Sequence, residues 1–288
     1  MKKLTLPAVD FPTALATAIS GIGDETERAA YVLAIPNPAD IASHYEATAR
    51  AAKLYAEPRI DAAGDPIIVG RLRKSCLTKL YSQYFVPKNK PARRLYEKLK
   101  ITANGKCPLC GGVGHVRTLD HYLPKANFPI YSVMPTNLVP CCRDCNSEKL
   151  NSFSDVKYKQ TLHPYFDHDR FFNEQWIHAK VITQMPPILD YYVSAPEQWS
   201  EEDKSRAQSH FEEYRLGEKF SVEAAADIPE TIHMRRTIMV NSSHTEFSSY
   251  LKEKAHSPAL PINNWRRVMF SALAGDDWFC AQTFNELF

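Results

Sequence analysis

The chain has 288 residues, of which 44% are hydrophobic and 24% are charged, close to the averages of globular proteins. These proportions exclude collagen-like, coiled-coil and wholly disordered classes, and no apolar run approaches the roughly 18 residues that would cross a bilayer. The first residues carry two lysines but only a short apolar run, interrupted by Pro7 and Asp10, which makes a poor export signal. The sequence therefore predicts a cytoplasmic protein of one large domain or about two smaller ones, without membrane attachment.

The formal net charge of +2 conceals an uneven distribution along the chain. Residues 70–125 contain thirteen basic side chains and two acids, whereas residues 195–230 contain ten acids and four basic side chains. Such asymmetry predicts a basic face that meets a polyanion, although solvated helix surfaces explain a basic run equally well. The residues of this run that we expect to bind nucleic acid are Arg71, Lys74, Arg93 and Arg94.

The N-terminal third of the chain has the spacing of helices. Apolar residues recur at three- and four-residue intervals over 14–19, 41–56 and 71–85, and the last of these has one basic face. Residues 91–99 form a further predicted helix, with Pro91 near its first turn. We therefore predict a helical N-terminal region over residues 1–100 that becomes basic towards its end.

Helical periodicity stops after residue 101, and two pairs of cysteines appear. Cys107-Pro-Leu-Cys110 and Cys142-Arg-Asp-Cys145 supply the four thiolates of a tetrahedral zinc site. The gap of 31 residues between the pairs exceeds that of a usual zinc ribbon, so more than a turn lies between them. Buried free thiols or a redox CxxC are the alternatives.

The other three cysteines are not in the two pairs. Cys141 is a conceivable substitute ligand, but only Cys142 gives the CxxC spacing. Cys76 and Cys280 are isolated and are expected to be ordinary small core residues. An odd number of cysteines without an export signal argues against a disulfide framework.

Four polar residues lie in and just after the interval between the cysteine pairs. Asp120, His121, Asn137 and Asn146, set within this frame, resemble the motif of the HNH endonucleases. The fold that the resemblance implies for residues 101–168 is a ββα-metal finger. One strand ends at Asp120-His121, a second lies near Asn137, and a helix that starts near Cys142 carries Asn146. Asn146 stands where the family's name has His, a common variant that bears on the preferred metal.

The residue types of this motif suit phosphodiester hydrolysis. Asp120 and Asn146 offer oxygen ligands to a hard cation such as Mg²⁺ or Mn²⁺, which neutralises charge on the scissile phosphate. Side chains alternate along an extended strand, so His121 can address water while Asp120 holds the cation. An imidazole titrates near neutrality and can remove a proton from that water. Asn137 cannot ionise, and we expect it to fix the loop and the His121 ring through hydrogen bonds.

Charged neighbours of the motif are further candidates. Lys125, Arg143 and Lys149 lie near it in sequence and are expected to contact phosphates, although each alone is also a common solvated charge. His163 and Asp167 follow it and either buttress the active site or form a structural turn.

The C-terminal region, residues 169–288, is predicted to contain short strands followed by helices. The strands are expected over 176–181 and 188–193, with a hairpin at 185–187 between them. Ser200 is a good N-cap for the first of the helices. The predicted helices span 200–216, 228–240, 245–256 and 265–274.

The resemblance extends beyond the finger. Residues 162–167 and 264–280 are similar to segments of HNH nucleases from bacterial anti-phage systems, which include Septu-type and retron-associated systems. In those systems the nuclease works beside an ABC-type or SMC-like ATPase, so the resemblance implies such a partner. The acidic and apolar helices after Ala195 either dock that partner or cover the core.

These observations predict a mainly α protein with a small α+β insert and a structural Zn²⁺. Its expected function is that of an endonuclease dependent on Mg²⁺ or Mn²⁺ that hydrolyses phosphodiester bonds in nucleic acid. DNA is favoured over RNA. The alternative is a catalytically silent zinc finger that binds nucleic acid or a protein. A CxxC oxidoreductase is disfavoured because neither cysteine pair lies in a βαβ context.

Overall fold

A computed structural model describes residues 1–60, 63–150 and 152–284. Helices predominate in it, and its named strands form three separate two-stranded antiparallel sheets. The chain divides into two compact units. The first unit contains residues 3–109 and 114–167, and the second contains residues 1–2, 110–113 and the chain from residue 168 onward. None of the helices in the described ranges is both long and apolar enough to traverse a bilayer.

Polar residues start the N-terminal helices of the first unit. The Asp10 carboxylate accepts a hydrogen bond from Thr13 N at 2.8 Å, and the Asp24 carboxylate accepts one from Glu27 N at 2.6 Å. Ala52 has a φ of 52° just beyond the third helix, so the helix predicted over 41–56 stops short and a separate 3₁₀ turn follows it. The helices of this unit before the cysteines are α1 (Phe11–Ser20), α2 (Glu25–Ala34), α3 (Pro38–Arg50), α4 (Lys74–Lys79) and α5 (Arg93–Ile101).

The helix predicted over 71–85 is wrong at its first three residues. They belong to a hairpin in which β1 (Ile67–Val69) pairs with β2 (Leu72–Arg73). Gly70 makes the turn with a φ of +56°, a conformation that glycine adopts without steric cost. Helix α4 begins only at Lys74, and it widens into a π-helix over Leu80–Phe85.

Two strands and a helix follow in the order predicted from the sequence. β3 (Thr118–His121) pairs antiparallel with β4 (Leu138–Cys141), and α6 (Arg143–Lys149) comes directly after β4. The register sets Asp120 opposite Val139. All four residues of β4 are buried, so this small sheet lies within the core of the first unit.

The second unit contains the predicted strand pair and a helical core. β5 (Ile177–Ile182) and β6 (Ile188–Val193) pair antiparallel over their whole length, which confirms the predicted hairpin. The Ser200 hydroxyl caps the first long helix by accepting from Asp203 N at 3.1 Å, also as predicted. One helix, predicted over 228–240, begins earlier and runs through Pro229. The helices are α7 (Arg170–Asn173), α8 (Glu201–Glu213), α9 (Leu216–Thr237), α10 (His244–Ala255), α11 (Trp265–Gly275) and α12 (Asp277–Ala281).

Large aromatic side chains fill the core of the second unit. Trp176, Phe220 and Phe247 are fully buried. Burying an aromatic side chain contributes roughly 1.5–3 kcal/mol, so side chains of this size account for much of the unit's stability. The polar groups of this core are satisfied locally: the Asn263 carboxamide oxygen accepts from Trp176 N at 2.9 Å and from Ile177 N at 3.1 Å.

Candidate active site and metal centre

The four cysteines of the two CxxC pairs come together in one cluster. Their sulfur atoms all lie within 4.8 Å of one another, and all four side chains are buried. A tetrahedral zinc ion with bonds of about 2.3 Å holds its sulfur ligands about 3.8 Å apart, so the cluster needs only a small contraction to bind one. The four-cysteine set predicted from spacing is therefore confirmed as a group that can hold a metal such as zinc. The cluster is formed by Cys107, Cys110, Cys142 and Cys145.

Backbone hydrogen bonds shape the two cysteine turns. Cys142 is the N-cap of α6, and its sulfur accepts from Cys145 N at 3.5 Å. Cys107 N donates to the Gly114 carbonyl at 2.9 Å, which closes the first turn. Cys141 is buried beside the cluster but is not one of its four members, and its thiol donates to the Cys142 carbonyl at 3.2 Å. The spacing argument that favoured Cys142 over Cys141 is confirmed.

A cavity of about 300 Å³ lies at the end of β3. Asp120 and His121 from β3 and Asn146 from α6 all border it, together with Lys125 from the following loop. Asp120 and His121 therefore border the same cavity, although side chains alternate along a strand. A carboxylate, an imidazole, an amide and an ammonium group thus surround one space.

The Asp120 carboxylate is buried, with 7% of the residue exposed. Burial raises the pKa of this carboxyl above its ordinary value, and the Lys149 ammonium, 3.2 Å from Oδ2, opposes the rise by favouring the carboxylate. Lys149 also donates to the His121 carbonyl at 2.6 Å. The Lys149 ammonium therefore supplies this buried carboxylate with a counter-charge.

Lys149 itself is not placed as the sequence predicted. Only 3% of the residue is exposed, and its ammonium is occupied by Asp120 and the main chain of β3. The prediction of a surface phosphate contact is corrected, because α6 turns this side chain inward towards the end of the strand. Its observed contacts are those of a buried counterion that holds Asp120 in place.

The His121 ring is held from one side by the main chain. Nε2 donates to the Ser132 carbonyl at 2.8 Å, and since a carbonyl only accepts, Nδ1 carries the lone pair. Burial lowers the pKa of the imidazole to about 3, the Ser132 hydrogen bond opposes the fall, and the Lys125 and Lys149 charges add to it. The ring is therefore neutral at neutral pH, with the lone pair on Nδ1.

Asn137 is a fully buried brace of the loop between β3 and β4. Its carboxamide oxygen accepts from Leu123 N at 2.8 Å and from the Tyr45 hydroxyl at 2.9 Å. Its Nδ2 donates to the Leu123 carbonyl at 3.1 Å and to the Tyr131 carbonyl at 3.2 Å. These bonds are the loop-fixing role that the sequence predicted. The expected hydrogen bond from Asn137 to the His121 ring is wrong, because the carboxamide bonds to Leu123, Tyr45 and Tyr131 instead. His121 Nε2 donates to the Ser132 carbonyl.

The chain of hydrogen bonds continues from Asn137 to His163. His163 Nδ1 accepts from Tyr165 N at 3.2 Å, so Nε2 carries the proton and faces the Tyr45 hydroxyl at 3.3 Å. The Asp167 carboxylate accepts from His163 N at 2.5 Å and closes a local turn. The two residues thus form the structural turn, and His163 contacts Asn137 through Tyr45. That they buttress an active site stays a prediction.

The two remaining charged neighbours of the motif differ in exposure. Lys125 is half-buried and borders the cavity. Arg143 is exposed at the first turn of α6. Both positions are open to a phosphate, and the phosphate contacts stay predictions.

The basic residues before the cysteines also differ in exposure and in pairing. Arg71 and Arg94 are exposed, and Lys74 is half-buried. Arg93 forms an ion pair with Glu97 on the same helix. Arg94 therefore exposes its charge to solvent on α5, whereas the neighbouring Arg93 is held in an ion pair with Glu97.

Sequence reasoning missed the residues that hold the site from a distance. Tyr45 on α3 contacts Asn137, and Tyr81 in the π-helix lies against the His121 ring. Ser132 supplies the carbonyl that orients His121. No spacing rule connects these residues with the motif, because their contacts depend on how the chain folds back.

The described residues form a mainly helical protein with a four-cysteine cluster that can hold a metal and a polar cavity at the end of β3. No family model and no solved structure matches the chain. Protein ea31 of Escherichia phage lambda is 35% identical to it over an alignment of length 292, which covers 97% of this chain and 99% of that protein. At this identity and coverage, the chain belongs to the family of Protein ea31.

Proposed function

We propose that this protein is a metal-dependent HNH endonuclease that hydrolyses phosphodiester bonds in nucleic acid, with DNA favoured. The observation that carries the proposal is the cavity bordered together by Asp120, His121 and Asn146. The order of β3, β4 and α6 around the four-cysteine cluster supports a ββα-metal finger. The resemblance of the motif to HNH nucleases supports the same conclusion.

The residues at the cavity suit a catalytic Mg²⁺ or Mn²⁺. Asp120 contributes a carboxylate and Asn146 an amide oxygen, and Mg²⁺ in phosphoryl chemistry takes few protein ligands beside phosphate and water. When bound there, the cation would stabilise negative charge on the scissile phosphate and on the leaving oxygen. Lys149 keeps the Asp120 carboxylate charged and aligned, which makes it a positioning residue in this proposal.

His121 is the general base in this mechanism. The Ser132 carbonyl fixes the tautomer, so Nδ1 receives the proton of the attacking water. Because burial keeps the ring neutral, no deprotonation step is needed before catalysis at neutral pH. Asn137 acts at one remove by holding the loop that carries Ser132.

Substrate contacts are proposed for the basic residues that the structure leaves accessible. Lys125 lies at the cavity, and Arg143, Arg94 and Arg71 are exposed. Each phosphate contact releases counterions, so binding should weaken with salt. On the resemblance to anti-phage nucleases, we also propose an ABC-type or SMC-like ATPase as partner.

One observation favours the second candidate, a zinc-binding module without catalysis. The Asp120–Lys149 ion pair already supplies the carboxylate with a counter-charge. A silent module would keep this pair as a purely structural bridge and would bind no further cation.

The decisive experiment combines cleavage with cation binding. The zinc-loaded protein is incubated with plasmid DNA and with tRNA, with Mg²⁺ or EDTA, and Mn²⁺ binding is measured by electron paramagnetic resonance. The test variant is Asp120→Asn with Lys149→Met, because removing one partner alone would leave a buried charge that destabilises the fold by about 3–5 kcal/mol. Asp144→Asn is the matched control, because Asp144 is an exposed acid on α6, the helix that carries Lys149.

We expect Mg²⁺-dependent cleavage in the wild type and in the control. The double variant should lose cleavage and bind Mn²⁺ at least about tenfold more weakly with its zinc intact. Equal Mn²⁺ affinity in the double variant, or cleavage that EDTA leaves unchanged while zinc is retained, would contradict the proposed mechanism. Nucleic-acid binding without cleavage would favour the silent module.

A further inference from the structure

The helical segment before the cysteines changes its geometry where it passes the site. After one and a half turns of α4, residues Leu80–Phe85 form a π-helix, in which Val86 N donates to the Tyr81 carbonyl five residues back at 3.0 Å. π-Helical turns are rare and occur frequently at functional sites. The widened turn directs Tyr81 into the cavity wall, where it lies with Asp120, His121 and Asn146.

Tyr81 makes two contacts that bear on the base. Its ring meets the His121 ring edge-on, with centroids 4.4 Å apart and planes at 70°. Its hydroxyl donates to the Leu119 carbonyl at 3.0 Å, which ties the π-helix to β3 two residues before His121. The side chain is buried, with 9% of the residue exposed.

Helix α4, which precedes the π-helix, also holds Ser132, the hydrogen-bond partner of the imidazole. The Ser132 hydroxyl donates to the Leu77 carbonyl at 2.7 Å, and the Ser132 carbonyl accepts from His121 Nε2 at 2.8 Å. An aromatic contact and a hydrogen bond thus both hold the imidazole ring. Both constraints originate in residues 74–85, a stretch with no part in the HNH motif.

We propose that Tyr81 is a positioning residue that sets the orientation of the His121 ring at the candidate cavity. This inference rests on the proposed function for its catalytic meaning, but the orientation itself is measurable without catalysis. A T-shaped aromatic contact restricts rotation of the ring about its bond to Cβ, which the single Ser132 hydrogen bond leaves less constrained. A displaced base loses rate while substrate affinity, set by phosphate contacts, is retained.

The test uses the zinc-loaded protein with Tyr81→Leu, which removes the ring, and Tyr81→Phe, which restores it without the hydroxyl. Tyr84→Leu is the control, because Tyr84 lies in the same π-helix with its ring facing Lys90 at 4.9 Å. We expect Tyr81→Leu to lower the single-turnover rate about ten- to a hundredfold without changing substrate affinity. Tyr81→Phe should fall by no more than about fivefold, the worth of one hydrogen bond.

A double-mutant comparison separates positioning from general destabilisation. In a His121→Ala background, Tyr81→Leu should cause no further loss, since a residue that acts through His121 has nothing left to orient. Equal losses in both backgrounds, or an equal loss in Tyr84→Leu, would overturn the proposal.

Nuclear magnetic resonance of the ¹⁵N-labelled imidazole reports the tautomer that this orientation selects through the Ser132 hydrogen bond. The wild type and Tyr81→Phe should show a single Nε2-protonated tautomer for His121, and Tyr81→Leu should show mixed or broadened signals. An unchanged His121 spectrum in Tyr81→Leu would overturn the positioning role whether or not the protein cleaves nucleic acid. Absence of cleavage in the wild type, with the expected spectral change, would instead refute the proposed function alone.

Discussion

Two regions of this molecule hold themselves together by different means. The second unit, from here on called the C-terminal unit, packs large aromatic side chains such as Trp176 and Phe247 into a closed core. The cysteine segment, residues 105–150, instead gathers four thiols and a set of buried polar side chains. The cysteine segment also buries apolar side chains such as Phe128, Tyr131 and Met134. A metal bound by the four thiols would add to the stability that this packing provides.

Buried polar groups occur in both regions, so burial alone does not mark a site. In the C-terminal unit, Arg235 donates to the carbonyls of Met239 and Ser242 and completes the end of a helix. In the cysteine segment, Asp120 and His121 are buried at the wall of a cavity. The comparison teaches that a buried polar group becomes a functional candidate when it borders a cavity. A buried polar group whose role is to hydrogen-bond main-chain carbonyls is not such a candidate.

The largest expected effect comes from removing a zinc ligand. Structural zinc binding is worth about 10–16 kcal/mol in small metal-folded domains, so Cys145→Ser should lose zinc and unfold the cysteine segment. Cys280→Ser, at a buried cysteine of α12 outside the cluster, should keep its zinc. Elemental analysis and circular dichroism measure both outcomes. A folded, zinc-free Cys145→Ser protein would show that this region needs no metal.

A pair of buried asparagines sharpens the comparison. Asn137 in the cysteine segment and Asn263 in the C-terminal unit are both buried, and each binds backbone groups on both sides of its carboxamide. Each Ala variant leaves buried groups unpaired and should lose about 2–4 kcal/mol of unfolding free energy. Only Asn137→Ala should also lower the cleavage rate, in an assay run well below both melting temperatures. Equal rates in the two variants would remove the functional distinction between the regions.

A smaller effect is expected from two adjacent arginines on α5. Arg94 is exposed, whereas Arg93 pairs with Glu97. Arg94→Ala should reduce the dependence of log binding constant on log salt by about 0.9, the value for one lost phosphate contact. Arg93→Ala should leave that slope nearly unchanged and lower the melting temperature instead. A smaller salt slope in Arg93→Ala, with the slope of Arg94→Ala unchanged, would show that Arg93 makes the phosphate contact.

The smallest effect concerns acid sensitivity in the C-terminal unit. Hydrogen bonds from the Ser243 backbone and hydroxyl at the start of α10 lower the pKa of Glu246 from its ordinary value of 4.5. A lowered carboxyl pKa stabilises the fold at pH values above 4.5, and the contribution disappears as pH falls through the lowered value. Melting curves of wild type and Glu246→Ala should therefore differ slightly at pH 7 and converge in acid. A difference that grows in acid would contradict this assignment.

Local patterns in the sequence predicted much of the fold and the core of the candidate site. The CxxC spacing identified the cluster, and the local pattern over 176–193 located β5 and β6, because both signals lie within short stretches. The β1–β2 hairpin was missed because Gly70 turns the chain inside a helix-like pattern. The burial of Lys149 depends on its contact with His121, 28 positions away, and the contact of Tyr81 with His121 also joins residues far apart in the chain. No local pattern encodes either contact.

The most direct test of the central claim is single-turnover cleavage by His121→Ala across pH. If His121 is the general base, the variant should lose roughly two to four orders of magnitude in rate at neutral pH, with substrate binding little changed. Raising the pH should partly rescue it, because hydroxide replaces the lost base, and zinc content should stay at the wild-type level. A variant that cleaves within a few-fold of wild type at neutral pH would exclude His121 from the mechanism and leave a silent zinc-binding module as the better account.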